Sequence, residues 1–355
     1  VLLVVKGLDL GGIERMVADL AVGLHERGVP VEVAMVTDRR DRLAGRIERA
    51  GVPLHRMGGT DRLGWRPSAR LARLVRCGRY DVVHVHSPAP AVVVRLALVG
   101  AKVKVVTTLH NSWRALHPLT RLGWWATWWR DDLRLAVSAD AVGSAPRPWR
   151  RRVRVLPHAV DPRQLAAARA GAAAARASLG VAEGTSLLVS VAAHRPAKNH
   201  PNLLRALRRL LDRGAAVHLA VVGEGPQLAA NQRLAASLGV AEAVSFLAPR
   251  DDVWSLIAAA DVVVVASDFE GQPLVVLEAL ALGRPVVATA VGRVPELVGP
   301  RQGRVVAPGD PAALADAVAG VLAAPPAGVE STPASWSLDD AIDEHHRRYS
   351  ELVPS

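Results

Sequence analysis

At 355 residues, half of them apolar and 22% charged, the chain holds enough material for about two domains. Its net charge of +11 is carried almost wholly by arginine, with lysine only at Lys6, Lys102, Lys104 and Lys198. No helix-turn-helix, zinc-finger or aromatic RNA-binding motif accompanies that charge, so no nucleic-acid partner is expected. A phosphate-bearing small substrate or an acidic membrane surface accounts for it at least as well.

The single cysteine, Cys77, excludes an intramolecular disulfide and a cysteine-based zinc site. It stands among Arg73, Arg76 and Arg79, which favour a thiolate, although a bystander thiol is the plainer reading. The opening Val1–Val5 is too short for a signal-peptide core, and no later apolar run approaches the length of a spanning helix. The expected location is the cytoplasm, reaching the inner face of the membrane if the chain touches lipid.

Valine-rich runs alternate with helical stretches along the chain. The first half predicts strands at 1–5, 31–37, 81–87, 104–110, 135–142 and 153–157. The second half predicts them at 186–192, 217–223, 244–248, 261–267, 285–289 and 304–307. These runs are continuously apolar, as strands buried on both faces of a parallel sheet must be. Between them, Val17, Leu20, Ala21 and Leu24 share one helical face, and Leu203, Leu204, Leu207, Leu210 and Leu211 share another. Such alternation implies an α/β architecture with right-handed crossovers. It pauses between Pro157 and Gly180, where an alanine-rich stretch over 164–179 follows Pro162, which puts the domain boundary near 160. A proline-rich stretch at 323–333 precedes a final helix at 338–352.

The richest segment runs from Asp261 to Pro308. A strand ending at Ser267 leads through Asp268, Phe269, Glu270, Gly271 and Gln272 to a helix opening at Pro273, a residue suited to a first helical position. Ligands of open α/β sheets bind beyond the carboxyl ends of strands, where helix N-termini present free N–H groups. Gly271 permits close backbone approach. Glu270 in the loop and Glu278 on the second turn can face one pocket; equally, a carboxylate near a helix start stabilises the dipole. Spacing alone leaves the two readings level.

The run Glu270-Gly271-Gln272-Pro273-Leu274-Val275-Val276-Leu277-Glu278 resembles the Glu-x7-Glu motif of the retaining GT-B glycosyltransferases of family 4. The likeness continues through Gly283, Pro285–Thr289, Gly292, Pro295–Val298 and Pro308–Pro311. Upstream, Val222–Pro226, Phe246, Leu247 and Asp252 resemble the family's nucleotide-side segments. In the first half, Gly11–Arg15, Asp81–His86 and Thr108–His110 resemble its acceptor-domain motifs, and Leu156–Asp161 its interdomain linker.

The resemblance implies an α/β GT-B fold: two Rossmann-like domains facing a central cleft, with the C-terminal helix crossing back to the first. Residues 1–160 with 335–355 would bind the acceptor, and 161–334 the nucleotide-sugar donor. Glu278 would hold the donor ribose, Glu270 the hydroxyls of the transferred sugar, and Lys198 the diphosphate. Backbone groups from Gly271 through Gln272 and Pro273 to Leu274 would meet sugar and phosphate, while Gly11 and Gly12 would let the first loop approach the diphosphate. His110 would lie by the reacting centre, with His86, Asn111 and Trp113 on the acceptor side. The family's usual arginine is replaced by Ala193; either Arg195, two residues along, supplies the charge, or the leaving group is held more weakly. His84 and His86 share a strand face, and one or both serve packing alone. No Asp-x-Asp occurs, so neither metal nor other cofactor is expected.

The activity implied is retaining transfer from a UDP- or GDP-sugar to a hydroxyl of a sugar, lipid-linked glycan or small metabolite. The alternatives are a nucleotide-sugar 2-epimerase of the same fold and a non-catalytic anion-binding relative. One segment stands apart: Trp113, Trp124, Trp125, Trp128, Trp129 and Trp149 fall among nine arginines between 114 and 154. Tryptophan beside arginine suits peripheral membrane contact; core packing with an aromatic acceptor pocket is the reading the helical spacing favours.

Overall fold

The computed structural model describes residues 1–9, 11–38, 41–60, 64–110, 113, 116–156, 159–271, 273–326, 328–329 and 337–353. The chain forms two compact units, residues 1–159 with 336–355, and residues 160–335.

In the first unit the strands are β1 (Leu2–Val5), β2 (Glu32–Thr37), β3 (Leu54–Gly59), β4 (Val82–Val85), β5 (Lys104–Leu109), β6 (Leu133–Ala136) and β7 (Val153–Val155). They pair in parallel in the order β3-β2-β1-β4-β5-β6-β7. Two corrections to the sequence reading arise here. β3 was not expected: it is an edge strand whose sequence LHRMGG is only partly buried, so it lacks the valine run that marks its neighbours. The strand expected over 135–142 ends at Ala136, because Ser138 accepts a hydrogen bond from the Ala141 amide and starts the helix Ala139–Ser144.

The second unit holds β8 (Ser186–Val191), β9 (Val217–Val222), β10 (Val244–Leu247), β11 (Val262–Val265), β12 (Val286–Thr289) and β13 (Gly303–Val306). Their order is β10-β9-β8-β11-β12-β13, again all parallel. In chain order this is 3-2-1-4-5-6, the doubly wound arrangement. Strand order reverses between β8 and β11, and in the first unit between β1 and β4. At such a point successive connections leave in opposite directions and open a crevice beyond the strand ends.

The alanine-rich stretch forms the helix Pro162–Ala177. The last helix, Leu338–Leu352, opens with a capping box of Ser337 and Asp340 and belongs to the first unit. Arg27 donates to Asp339 and Asp343, Ile342 fills the space above Gly23, and buried Tyr349 reaches β4 through His84. Among the described residues no helix is long and apolar enough to cross a membrane.

Candidate functional site

In the second unit the loops leaving β8 and β11 meet at the switch point. The first folds through a short 3-10 turn, Pro196–Lys198, and ends on Asn199, whose left-handed backbone (φ 42°) starts the helix His200–Asp212. The Asn199 side chain donates to Asp268 Oδ1 at 2.7 Å. The Asp268 and Phe269 amides both donate to the Ala197 carbonyl. So latched, the loops bring Lys198 onto Glu270: Nζ lies 2.6 Å from each carboxylate oxygen, and the Ser267 hydroxyl donates to Oε1 at 2.7 Å. The sequence reading gave these two residues different ligands, and the structure joins them as one charged unit.

Gly271 is buried, and its carbonyl accepts from the Arg293 amide. A Cβ on Gly292 (φ 53°) would stand 2.3 Å from the Gly271 oxygen and 2.5 Å from that of Glu270. Only glycine fits there, which explains its place in the motif. The helix starts one residue later than expected, at Leu274, with Pro273 as its cap in extended backbone. Proline has no N–H, so the helix-start donors are those of Leu274 and Val275. Glu278 is buried on that helix among Leu277, Ala279 and Leu280. Gln272 lies outside the described residues.

Arg195 has an exposed side chain beside the Lys198 turn. Ala193, where the resemblance leads one to expect an arginine, immediately precedes a feature not anticipated from sequence. His194 is fully buried, bonds Asn231 at 2.9 Å and stacks on buried His200 with ring centroids 4.2 Å apart. Burial, then the charges of His194 and Lys198, push His200 down to about 3, so it is neutral at physiological pH. Gly225 completes this corner, since a Cβ there would lie 2.6 Å from the His194 carbonyl oxygen. The Gly223–Pro226 turn thereby braces the Lys198 loop.

In the first unit Gly11 caps the helix Gly12–Glu26 in extended backbone, and both glycines are exposed. His86 follows β4 and His110 follows β5; both are buried, with His86 Nδ1 3.2 Å from His110 Nε2. His84, one ring behind His86 at 3.9 Å, bonds the Tyr349 hydroxyl at 2.6 Å and the Thr108 hydroxyl at 2.7 Å. Burial holds it well below the usual histidine range, and it serves packing. Trp113 donates its amide to Ser144 Oγ, and the Arg121 guanidinium lies over its ring at 5.4 Å; Asn111 lies outside the described residues. Among the described residues no group of three or more His, Cys, Asp or Glu is placed to hold a metal.

Comparison with known proteins adds the following. The family profile for glycosyl transferases group 1 matches residues 172–334, and that for glycosyltransferase family 4 matches residues 10–164. N-acetyl-alpha-D-glucosaminyl L-malate synthase of Bacillus anthracis is 26% identical over 65% of the chain, and D-inositol 3-phosphate glycosyltransferase of Corynebacterium jeikeium 35% over 51%. The chain spans 62% and 47% of those relatives' own length. Among solved structures, Anabaena HepE in complex with UDP-glucose superposes with a TM-score of 0.83 over 99% of both chains, at 21% identity.

Proposed function

Because the chain belongs to the family 4 glycosyltransferases of GT-B fold, we propose that it transfers a sugar, with retention, from a UDP- or GDP-sugar to a hydroxyl acceptor. The observation that carries the reading is the Lys198–Glu270 pair at the switch point of the second sheet. A lysine ammonium has three N–H donors, and the pair leaves one to meet a diphosphate oxygen. As the bond to the sugar breaks, negative charge grows on that diphosphate, and a cation already held in place lowers the barrier. The Leu274 and Val275 amides add partial positive charge beside it.

Glu270 has both oxygens engaged, by Lys198 and Ser267. That lowers its nucleophilicity and suits it to accept hydrogen bonds from sugar hydroxyls rather than to attack carbon. The acceptor hydroxyl would then approach the face the diphosphate leaves, with the leaving phosphate taking its proton. Glu278 would bind the donor ribose and Arg195 would supply the charge absent at Ala193. Gly11 and Gly12 would serve donor binding, His110 the reacting centre, and His86 and Trp113 the acceptor side. The residues named need no metal to hold the diphosphate.

The test is a thermal-shift screen of UDP- and GDP-sugars, followed by turnover of the best donor with Lys198→Met as the control. One donor should raise Tm, since a ligand at a hundredfold its Kd adds about 2.7 kcal/mol. The variant should lose about 100-fold or more in kcat/KM, turnover should survive excess chelator, and the product should keep the donor's anomeric configuration. A variant that turns over like the parent would overturn the assignment.

A further inference from the structure

The helix Pro118–Thr127 and the 3-10 turn Trp128–Arg130 that continues it have two unlike sides. Inward, Trp124 is buried against Trp149, and the Arg95 guanidinium lies over its ring at 4.7 Å. Outward, Leu119, Leu122, Trp125 and Trp129 form one stripe and are 73%, 63%, 53% and 59% exposed. Core packing therefore accounts for Trp124 and Trp149 and fails for the outward pair. The neighbouring helix Pro88–Ala97 packs through Val92 on Gly123, and its end adds exposed Leu96 and Val99. Arg130 ties the two ends together by donating to the carbonyls of Leu98, Ala101 and Val103.

The charge around this apolar edge is mostly positive. Between residues 64 and 132 eleven arginines and lysines stand against Asp81, Asp131 and Asp132, with Asp131 buried on Arg95 and Asp132 paired with Lys104 and Arg130. The third helix of the same layer, Trp65–Cys77, turns Arg66, Arg70, Arg73 and Arg76 to solvent. Exposed tryptophan and leucine on one helix edge, flanked by guanidinium groups, match the depth profile of a lipid headgroup region. Apolar side chains enter the acyl boundary, the Trp125 indole N–H stays at the headgroups while that of Trp129 donates to the Ala126 carbonyl, and arginines meet lipid phosphates. A second copy of the chain would bring the same positive surface against itself.

We propose that the Leu119–Trp129 face is a peripheral docking surface for an anionic lipid bilayer. The proposal stands apart from the transferase reading, because none of these side chains belongs to the candidate site. Its test is co-sedimentation of the whole chain with vesicles of phosphatidylglycerol and phosphatidylcholine, against phosphatidylcholine alone, at low and high salt. Binding should require the anionic lipid and weaken as salt shortens the Debye length. Trp125→Ser with Trp129→Ser should cut it at least about tenfold, and Arg73→Glu with Arg76→Glu should do likewise, while both variants keep the parent's Tm. Brominated acyl chains should quench parent fluorescence more than that of the double-serine variant. No binding at low salt, equal binding to neutral vesicles, or unchanged binding by folded variants would overturn the proposal. So would a parent dimer, lost in the variants, that ignores vesicles.

Discussion

Replacing Arg95 by leucine would test how the tryptophan helix is anchored. Arg95 and Asp131 have fully buried side chains. Arg95 Nε donates to Oδ1 at 2.7 Å and Nη2 to Oδ2 at 2.6 Å, with the Thr107 hydroxyl adding a third bond at 2.9 Å. Burial pushes the Asp131 carboxyl up, while Arg95 and Thr107 pull it back. In Arg95→Leu the carboxylate keeps the Thr107 hydroxyl and the more distant Arg134, whose Nε lies 4.0 Å from Oδ2. Losing a unit charge at close range is worth about 4 kcal/mol at an effective dielectric of about 20. The alternative, protonating the carboxyl at neutral pH, costs about 1.4 kcal/mol for each of roughly three pH units above its unfolded pKa, again about 4. The two routes agree, so the first unit should lose about 4 kcal/mol, or about 8–15 °C in Tm.

The sign of the pH dependence follows. The variant's folded carboxyl has a raised pKa, so the folded state binds the proton more tightly than the unfolded one. The defect should be small near pH 4 and grow as pH rises. Tryptophan emission in thermal or urea melts reports on the first unit, which holds eight of the nine tryptophans. Arg95→Leu with Asp131→Leu should recover most of the loss. A loss below about 1 kcal/mol, or one independent of pH, would refute the reasoning.

Two further predictions concern the site and its surroundings. Gly292→Ala combines a left-handed backbone with a clash against two carbonyl oxygens; it should cost about 2 kcal/mol or more and raise the donor KM, and normal melting with unchanged KM would count against the packing described. Burial lowers His84, His345 and His200, the last to about 3, so the unfolded chain binds protons first. Stability is full above pH about 6.5 and falls below it by about 1.4 kcal/mol per pH unit for each group. His200→Phe should flatten that slope in melts between neutral pH and pH 4, and an unaltered slope would remove His200 from the account.

The buried strands were legible in sequence because both faces of a parallel sheet are covered, so Val262–Val265 and Leu2–Val5 show unbroken apolar runs. Where one side is open the signal fades, as at β3, and where a cap interrupts an apolar run the reading overshoots, as at Ser138. The residues of the site were visible through motif resemblance, yet their pairing was not. Lys198 and Glu270 stand 72 residues apart, and their contact depends on β11 lying beside β8. His194 and His200 carry no sequence mark at all; their stacking and the close approach of Gly225 to His194 appear only in three dimensions. Likewise a count of tryptophans could not separate Trp124, which is buried, from its neighbour Trp125, which is 53% exposed.

The helix Leu338–Leu352 supplies Ile342 and Tyr349 to the core of the first unit, while the second unit is one continuous stretch. A ribosome therefore finishes the second unit before the first has all its parts. Until residue 352 is made, His84 waits for its tyrosine and the cleft above Gly23 stays open. Synthesis order and completion order are thus reversed for the two halves, and the nascent first half carries an incomplete core until its last helix is made.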